Sequence, residues 1–289
     1  MSSSSSSSPT TTGPALFTIP ITRPKDMIGT TGTGTIVCTL PRPNIYLLTF
    51  TNPPDNRLVT PFCEAFILAL DILEEKYERG VVVTTSGVGK FYSDGMDIDH
   101  ARWTGGYMKG KLYKLWKRIL VYSRPTVALI NGHAFAGGFM TAMMHDYRVM
   151  NPHKGYLCLN EVELGAPLRP PMTAVFRMKL SGGVLRKLIL EAYRFKALEA
   201  LKEGLVDSLG GLDETLALIE DLDLVKKAQP GATGQSVLAE LKEEMWRETV
   251  TLMEEGIEED LRDERMREKW RREKEERRRR VEVWEKAKL

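Results

Sequence analysis

Ala128-Leu129-Ile130-Asn131-Gly132-His133-Ala134-Phe135-Ala136-Gly137-Gly138 joins an apolar, strand-like run to a turn of small residues, beyond which a helical stretch continues to His145. A buried strand that feeds a turn and then a helix leaves the first helical N–H groups without partners inside the helix. Those groups point at whatever sits before them. Close packing is the commoner use of a Gly-Gly pair, so this stretch gains meaning from what flanks it.

Upstream, Phe91-Tyr92-Ser93-Asp94-Gly95-Met96-Asp97-Ile98 follows a short buried strand, Val81 to Thr85, and a turn at Gly87 and Gly89. Gly95 permits an unusual backbone that presents free N–H groups. Downstream, Leu159-Asn160-Glu161-Val162-Glu163-Leu164-Gly165 sets two carboxylates in a largely apolar stretch, where desolvation raises a carboxylate's pKa. Taken singly, Asp94 and Asp97 read as turn residues and an isolated Glu as a surface residue.

The rest of the pattern alternates strands with helices, which defines an α/β protein. Thr35 to Thr39 and Ile45 to Thr51 form a strand pair broken by Pro41 and Pro43. Thr60 is the expected N-cap of a helix with Phe62, Phe66, Leu70 and Leu73 on one stripe. Tyr107 to Tyr122 reads as a basic amphipathic helix, and Pro125 breaks the chain before the strand Thr126 to Ile130. A strand at Tyr147 to Met150 and helices at Ser181 to Leu190 and Lys196 to Glu203 follow, with Gly204 as the C′ residue of the last. Residues 1–34, rich in Ser, Thr, Pro and Gly, are expected to be a disordered tail. Residues 35–212 form the expected core, and 213–289 a helical region that becomes highly charged.

The 289 residues carry a formal net charge of +2, which gives no case for nucleic acid as the main partner. No apolar run is long enough for a membrane span, and the N-terminus lacks the apolar core of a secretory signal. Cys38, Cys63 and Cys158 lack metal-ligand spacing; no metal site is expected, and they read as free thiols. Gly87-Val88-Gly89-Lys90 is no phosphate loop, because Thr84 and Phe91 stand where that motif needs a Gly and a Ser or Thr. The interleaved charges beyond Glu240 read as a solvated, salt-bridged helix, with an RNA- or membrane-binding arm as the sharper alternative. Trp270, Val281 and Trp284 offer that helix an apolar seam.

The order of the three central segments resembles the crotonase (enoyl-CoA hydratase/isomerase) superfamily over roughly Thr35 to Leu209. Asn52-Pro53-Pro54-Asp55-Asn56-Arg57-Leu58 looks like the family's first CoA-contacting loop and Ser93 to Asp97 like its second. Asn131-Gly132 through Gly137-Gly138 looks like the oxyanion turn, and Gly204-Leu205-Val206-Asp207 like the end of a family helix. The resemblance implies a spiral of β-β-α turns followed by C-terminal helices, commonly assembled as a homotrimer or hexamer. It implies an acyl-CoA thioester substrate, with coenzyme A as part of that substrate and no separate cofactor. Its oxyanion donors carry over to the backbone N–H groups of Met96 and Gly137. Its substrate and CoA contacts carry over to Asn56, Arg57, Asp94, Gly95, Asp97, Ile98 and Asn160, with Arg57 a candidate for the CoA phosphates.

Hydratases of this family use two glutamates. Met140 stands at the first position, and Glu161 at the second. Leu159-Asn160-Glu161 resembles the Δ3,Δ2-enoyl-CoA isomerases, which work with one glutamate, so Glu161 is the expected base. Glu163 joins it if the segment is a strand and diverges if it is a turn. His133 and His145 read as structural. Alternatives are a hydratase or other crotonase-type enzyme such as a thioester hydrolase, and a non-catalytic acyl-CoA-binding or scaffold protein. Ala287-Lys288-Leu289 resembles the peroxisomal Ser-Lys-Leu address, which implies an import receptor as partner and the peroxisome as location.

Overall fold

The computed structural model describes residues 13–24, 27, 33–231, 237–254 and 259–286. β1 (Phe17–Ile21), β2 (Gly34–Arg42) and β3 (Ile45–Thr51) form an antiparallel meander, and α1 (Thr60–Lys76) crosses to β4 (Val81–Ser86), parallel to β3. A unit then repeats. β4 is followed by β5 (Phe91–Ser93), α2 (Ile98–Trp103) and α3 (Tyr113–Leu120). β6 (Thr126–Ile130) is followed by β7 (His133–Phe135) and α4 (Gly137–Met143), and β8 (Tyr147–Met150) by β9 (Leu157–Cys158) and α5 (Glu161–Leu164). The first strand of each unit joins a seven-stranded sheet, β1-β2-β3-β4-β6-β8-β10, where β10 is Ser208–Leu209. The second joins a smaller parallel sheet, β5-β7-β9. This is the expected spiral of β-β-α turns.

Side-chain alternation gives the large sheet two apolar faces. Tyr46, Leu48 and Phe50 face a core shared with Phe62, Phe66, Leu70 and Leu73 of α1. Ile45, Leu47, Val81, Val83, Val127, Leu129 and Val149 face the other way. Every residue of β4 is buried, as a parallel strand covered on both sides requires. After α6 (Pro170–Lys179), α7 (Gly182–Glu191) and α8 (Ala197–Lys202), the second face is covered by Leu216 and Ile219 of α9 (Leu212–Asp221) and Leu224 of α10 (Leu224–Lys227). The Gly204-Leu205-Val206-Asp207 piece has a clear use: Gly204 takes φ +73°, Leu205 is buried, and the Asp207 carboxylate accepts from Arg148 N and Nη2, both at 2.8 Å. That ties β10 to β8.

Four expectations change. The tail expected to be disordered over 1–34 contains β1, whose residues pair with Gly34–Cys38. Pro20 disguises it in the sequence, and an edge strand tolerates Pro because one side of its backbone has no ladder to complete. Val59, not Thr60, is the N-cap of α1. The helix expected over 107–122 opens with a π-helical turn at Met108–Leu112, which contains Gly110. The core does not end at 212: the compact unit runs through Met253 and takes in α11 (Val237–Met245) and all but the last residue of α12 (Arg247–Glu254), with Trp246, Val250 and Met253 in the core.

Residues 254–289 form a second unit, in which α13 (Glu259–Lys286) carries the i,i+4 pairs Glu268–Arg272, Lys269–Glu273 and Arg278–Glu282. This is the salt-bridged helix expected. Trp270, Val281 and Trp284 are all exposed. No helix of the described residues is long and apolar enough to cross a membrane. Residues 287–289 lie outside the described residues.

Lys242 of α11 reaches into the core. Its Nζ donates to the main-chain oxygens of Tyr122 (3.0 Å) and Arg124 (2.9 Å) and to the Asp146 carboxylate (2.6 Å). Burial pushes the lysine pKa down and Asp146 opposes it. Removing one member of a buried pair strands the other charge. Lys242→Met is therefore expected to lower unfolding free energy by roughly 3 kcal/mol in urea titrations, whereas a loss under about 1 kcal/mol would class the pair with exposed ones.

Candidate active site

The three segments singled out in the sequence leave the same edge of the small sheet. β5, β7 and β9 are parallel neighbours, with Ser93 opposite Ala134 and Phe135 opposite Cys158. Their C-terminal ends release Asp94 to Ile98, Ala136 to Gly138 and Leu159 to Glu161 side by side. Loops at the carboxyl ends of parallel strands are where α/β proteins build sites.

Two of these loops touch main chain to main chain. A Cβ on Gly138 would sit 2.2 Å from the Ser93 carbonyl oxygen, and one on Gly95 2.9 Å from Gly137 N. Gly95 also takes φ +85°, so its lack of a side chain is required twice. A Cβ on Gly137 would fall 3.3 Å from Met96 N and 3.2 Å from Met96 Cγ. The amides of Met96 and Gly137 thus border one small space, and neither donates to an acceptor among the described residues. Ala136 adopts φ 46°, ψ −124°, a conformation that costs a non-glycine residue of order 1–3 kcal/mol. It is held by Ala136 N donating to Cys158 O and Met140 N donating to Ala136 O.

Glu161 opens α5 and is 6% exposed. Both its carboxylate oxygens are buried without a hydrogen-bond partner among the described residues. Burial pushes its pKa up to about 7, only partly opposed by the residue's own nearby backbone N–H. Glu163 diverges, because the segment is a helical turn rather than a strand. Its carboxylate takes two bonds from Arg194, at 3.1 and 2.7 Å, on the exposed surface. Asn160 is the N-cap of α5, its main-chain oxygen accepting from Glu163 and Leu164 N, with Oδ1 buried and unpartnered among the described residues.

The expected CoA contacts divide. Asn56 is fully buried: Nδ2 donates to Ser86 Oγ and Tyr92 O, and Oδ1 accepts from Asn52 N. Its side chain braces the loop from within. The Arg57 guanidinium is engaged by Asp55 Oδ2, the Asp94 carboxylate and the main-chain oxygens of Asp94 and Met96, and so ties the two loops together. Asp97 caps α2 by accepting from His100 N at 2.9 Å. Gly95 lines the space between the loops, Asp94 is partly buried beside Arg57, and Ile98 is exposed. Burial raises the Asp94 pKa, and Arg57 opposes the shift.

Met140 is wholly buried among apolar side chains. His145 is structural: buried, bonded to Thr84 Oγ1 and Thr141 O, and pushed by burial to a pKa of about 3. His133 stacks on Tyr156 at 5.4 Å. The sequence reading missed three contributors. Ser93 Oγ donates to Asn56 O and accepts from Gly95 N, Arg194 removes Glu163, and Ala136 carries the strained turn. Two aspartates, Asp55 two residues before Arg57 and Asp94 in the neighbouring loop, were the available signal for its partners. Ala136 gave none, since its conformation is one where glycine is the usual choice.

A family model described as enoyl-CoA hydratase/isomerase matches residues 42–287. Enoyl-CoA delta isomerase 3 of Arabidopsis thaliana is 33% identical over 201 residues, 64% of this chain and 84% of the relative. Enoyl-CoA delta isomerase 2, peroxisomal, of the same plant is 28% identical over 73% of this chain and 93% of the relative. An enoyl-CoA hydratase/isomerase family protein of Pseudomonas syringae superposes with a TM-score of 0.65 at 21% identity, over 78% of this chain and 96% of that one, a likeness of fold. With the spiral, the juxtaposed loops and a match spanning most of its length, the chain belongs to the enoyl-CoA hydratase/isomerase family.

Proposed function

We propose that the protein converts 3-enoyl-CoA thioesters to 2-enoyl-CoA thioesters in fatty-acid β-oxidation, with Glu161 as its one acid–base group. The observation that carries this reading is the Glu161 carboxylate, buried and unpartnered among the described residues, with a pKa near 7. A base poised near the operating pH takes a proton and gives it back with little penalty either way. Glu161 removes the C2 proton of the substrate, and the electron pair moves into the thioester carbonyl to give a dienolate. The Met96 and Gly137 N–H groups receive the charge on that oxygen; one such donor contributes about 3 kcal/mol on mutational scales. The protonated Glu161 then returns the proton to C4, leaving the double bond between C2 and C3.

Hydration needs a second group to activate water. The Arg194 pairing of Glu163 and the apolar burial of Met140 both argue against one. A bare binder has no use for an unpaired buried carboxylate, which costs stability. The names of the Arabidopsis relatives, delta isomerases, accord with the isomerase reading, and one that carries "peroxisomal" accords with a peroxisomal location reached through an import receptor. We include a homotrimer or hexamer in the proposal. The exposed apolar side chains of Leu190, Leu198 and Leu201 on α7 and α8 are consistent with burial against a second copy.

Four outcomes are expected. Purified protein turns 3-enoyl-CoA into 2-enoyl-CoA, read by the absorbance of the conjugated 2-enoyl thioester, and hydrates 2-enoyl-CoA at least about a hundredfold more slowly, read by the mass of any 3-hydroxyacyl-CoA formed; efficient hydration defeats the isomerase reading. Glu161→Gln lowers turnover at least about a hundredfold while Glu163→Gln changes it little, and equal losses would defeat the one-base assignment. The third outcome concerns pH. A carboxyl whose pKa rises from 4.5 to about 7 on folding favours the folded state below pH 4.5, and that contribution is lost as pH climbs through about 7. Glu161→Gln, neutral throughout, should match the parent's stability below pH 4.5 and exceed it by about 3 kcal/mol above neutrality, while the parent's kcat/KM falls on the acid side of pH 7. A parent as stable as the variant at pH 8 would contradict the shifted carboxyl. Fourth, a fluorescent fusion with residues 287–289 free should collect in peroxisomes and one lacking Leu289 should not; peroxisomal collection of both sinks the tripeptide address.

A further inference from the structure

We propose that Arg57 is a positioning residue that sets the direction of the Met96 N–H, so that the oxyanion hole is aimed from outside by a side chain that never meets the substrate. The inference rests on the reading of Met96 and Gly137 as the oxyanion donors. Three successive carbonyls bracket the Met96 amide, and all three are held by Arg57 and the residue after it. Arg57 Nη1 donates to Asp94 O at 3.1 Å and to Met96 O at 3.0 Å, and Leu58 N donates to Gly95 O at 2.9 Å. The Gly95 carbonyl and the Met96 N–H belong to one planar trans peptide, so pulling the oxygen toward Leu58 turns the N–H the opposite way.

The guanidinium is itself fixed. Nη2 pairs with the Asp94 carboxylate and Nε donates to Asp55 Oδ2 at 3.0 Å. Asp94 N in turn donates to Asp55 O at 2.9 Å, which closes the ring of contacts between the two loops. A planar fork reaching two carboxylates and two carbonyls is a task for Arg, since an ammonium is a point charge on a mobile stem. Gly95 needs such a clamp more than another residue would. Its φ of +85° is one that glycine adopts without a local preference for it, so tertiary contacts have to hold the peptide that carries the donor.

A phosphate-binding arginine and a positioning one differ in what their loss removes. Phosphate contacts are the same for every acyl-CoA, whereas the aimed N–H matters only when charge sits on the thioester oxygen. The test compares two probes on Arg57→Ala and Arg57→Lys: acetoacetyl-CoA, whose C2–H between two carbonyls ionises readily to an enolate, and butyryl-CoA, whose C2–H does not. Arg57→Ala should lose at least about tenfold in acetoacetyl-CoA affinity and in kcat, with butyryl-CoA affinity and KM kept within about threefold. Millimolar guanidinium should restore part of the loss. If Arg57→Ala does not fold, Arg57→Lys should show the same split to a smaller degree. Equal loss of affinity for both probes, or raised KM at unchanged kcat, overturns the proposal. A parent protein that prefers acetoacetyl-CoA to butyryl-CoA but isomerises nothing sinks the isomerase reading alone, because the probe comparison needs no turnover.

Discussion

Main-chain contact between the loop at Ser93 to Met96 and the turn at Ala136 to Gly138 is the constraint on which the rest of the site hangs. With Gly138 against the Ser93 carbonyl and Gly95 against Gly137 N, the two loops meet backbone to backbone, and neither position has room for a side chain of its own. The N–H groups of Met96 and Gly137 border the gap, beside the side chains of Met96 and Leu58. Because they are fixed by the strands behind them, they need no reorganisation when charge develops before them. The same closeness explains why a non-glycine at position 136 is kept in a strained conformation: its N–H is tied to Cys158 O, and the chain must turn at once from β7 into α4.

Against that rigid frame, the protein treats its buried charges unevenly. Lys242 has Asp146, Arg148 has Asp207, and Lys179 donates to the carbonyls of Met143 and His145 at the end of α4. Each is a fixed structural tie between elements. Glu161 is the exception: among the described residues it is the carboxylate with both oxygens buried and neither bonded. Burial without a partner also raises the pKa of Glu161, as is common for groups that take part in chemistry.

Much of the frame was legible in the sequence because it rests on backbone chemistry. The repeated strand-then-glycine pattern around Gly95 and Gly137 announces close approach, and Leu159-Asn160-Glu161 announces a carboxylate among apolar neighbours. Side-chain partners were less legible. Glu161 and Glu163 are alike in the sequence, and only the turn of α5 sends one inward and the other to Arg194, thirty-one residues on. Arg57 looked free because its partners lie partly on main-chain atoms, which no residue type reveals. β1 was hidden since Pro20 and the Ser/Thr-rich tail before it outweigh a five-residue alternation.

The order of strands in the large sheet, β1-β2-β3-β4-β6-β8-β10, never runs backwards along the chain, and the small sheet keeps the same rule. No strand waits for a later one to separate it from its neighbour. The sheet is therefore able to lengthen in the direction in which a ribosome delivers it, each new strand finding its template already laid down, without the long wait that nested topologies impose. The candidate site inherits that schedule: its three loops leave β5, β7 and β9 in chain order, so the Glu161 segment on α5 is the last of the three to be made. Lys242 comes later still and reaches back to Tyr122, Arg124 and Asp146, a clasp that fastens the spiral after it has wound.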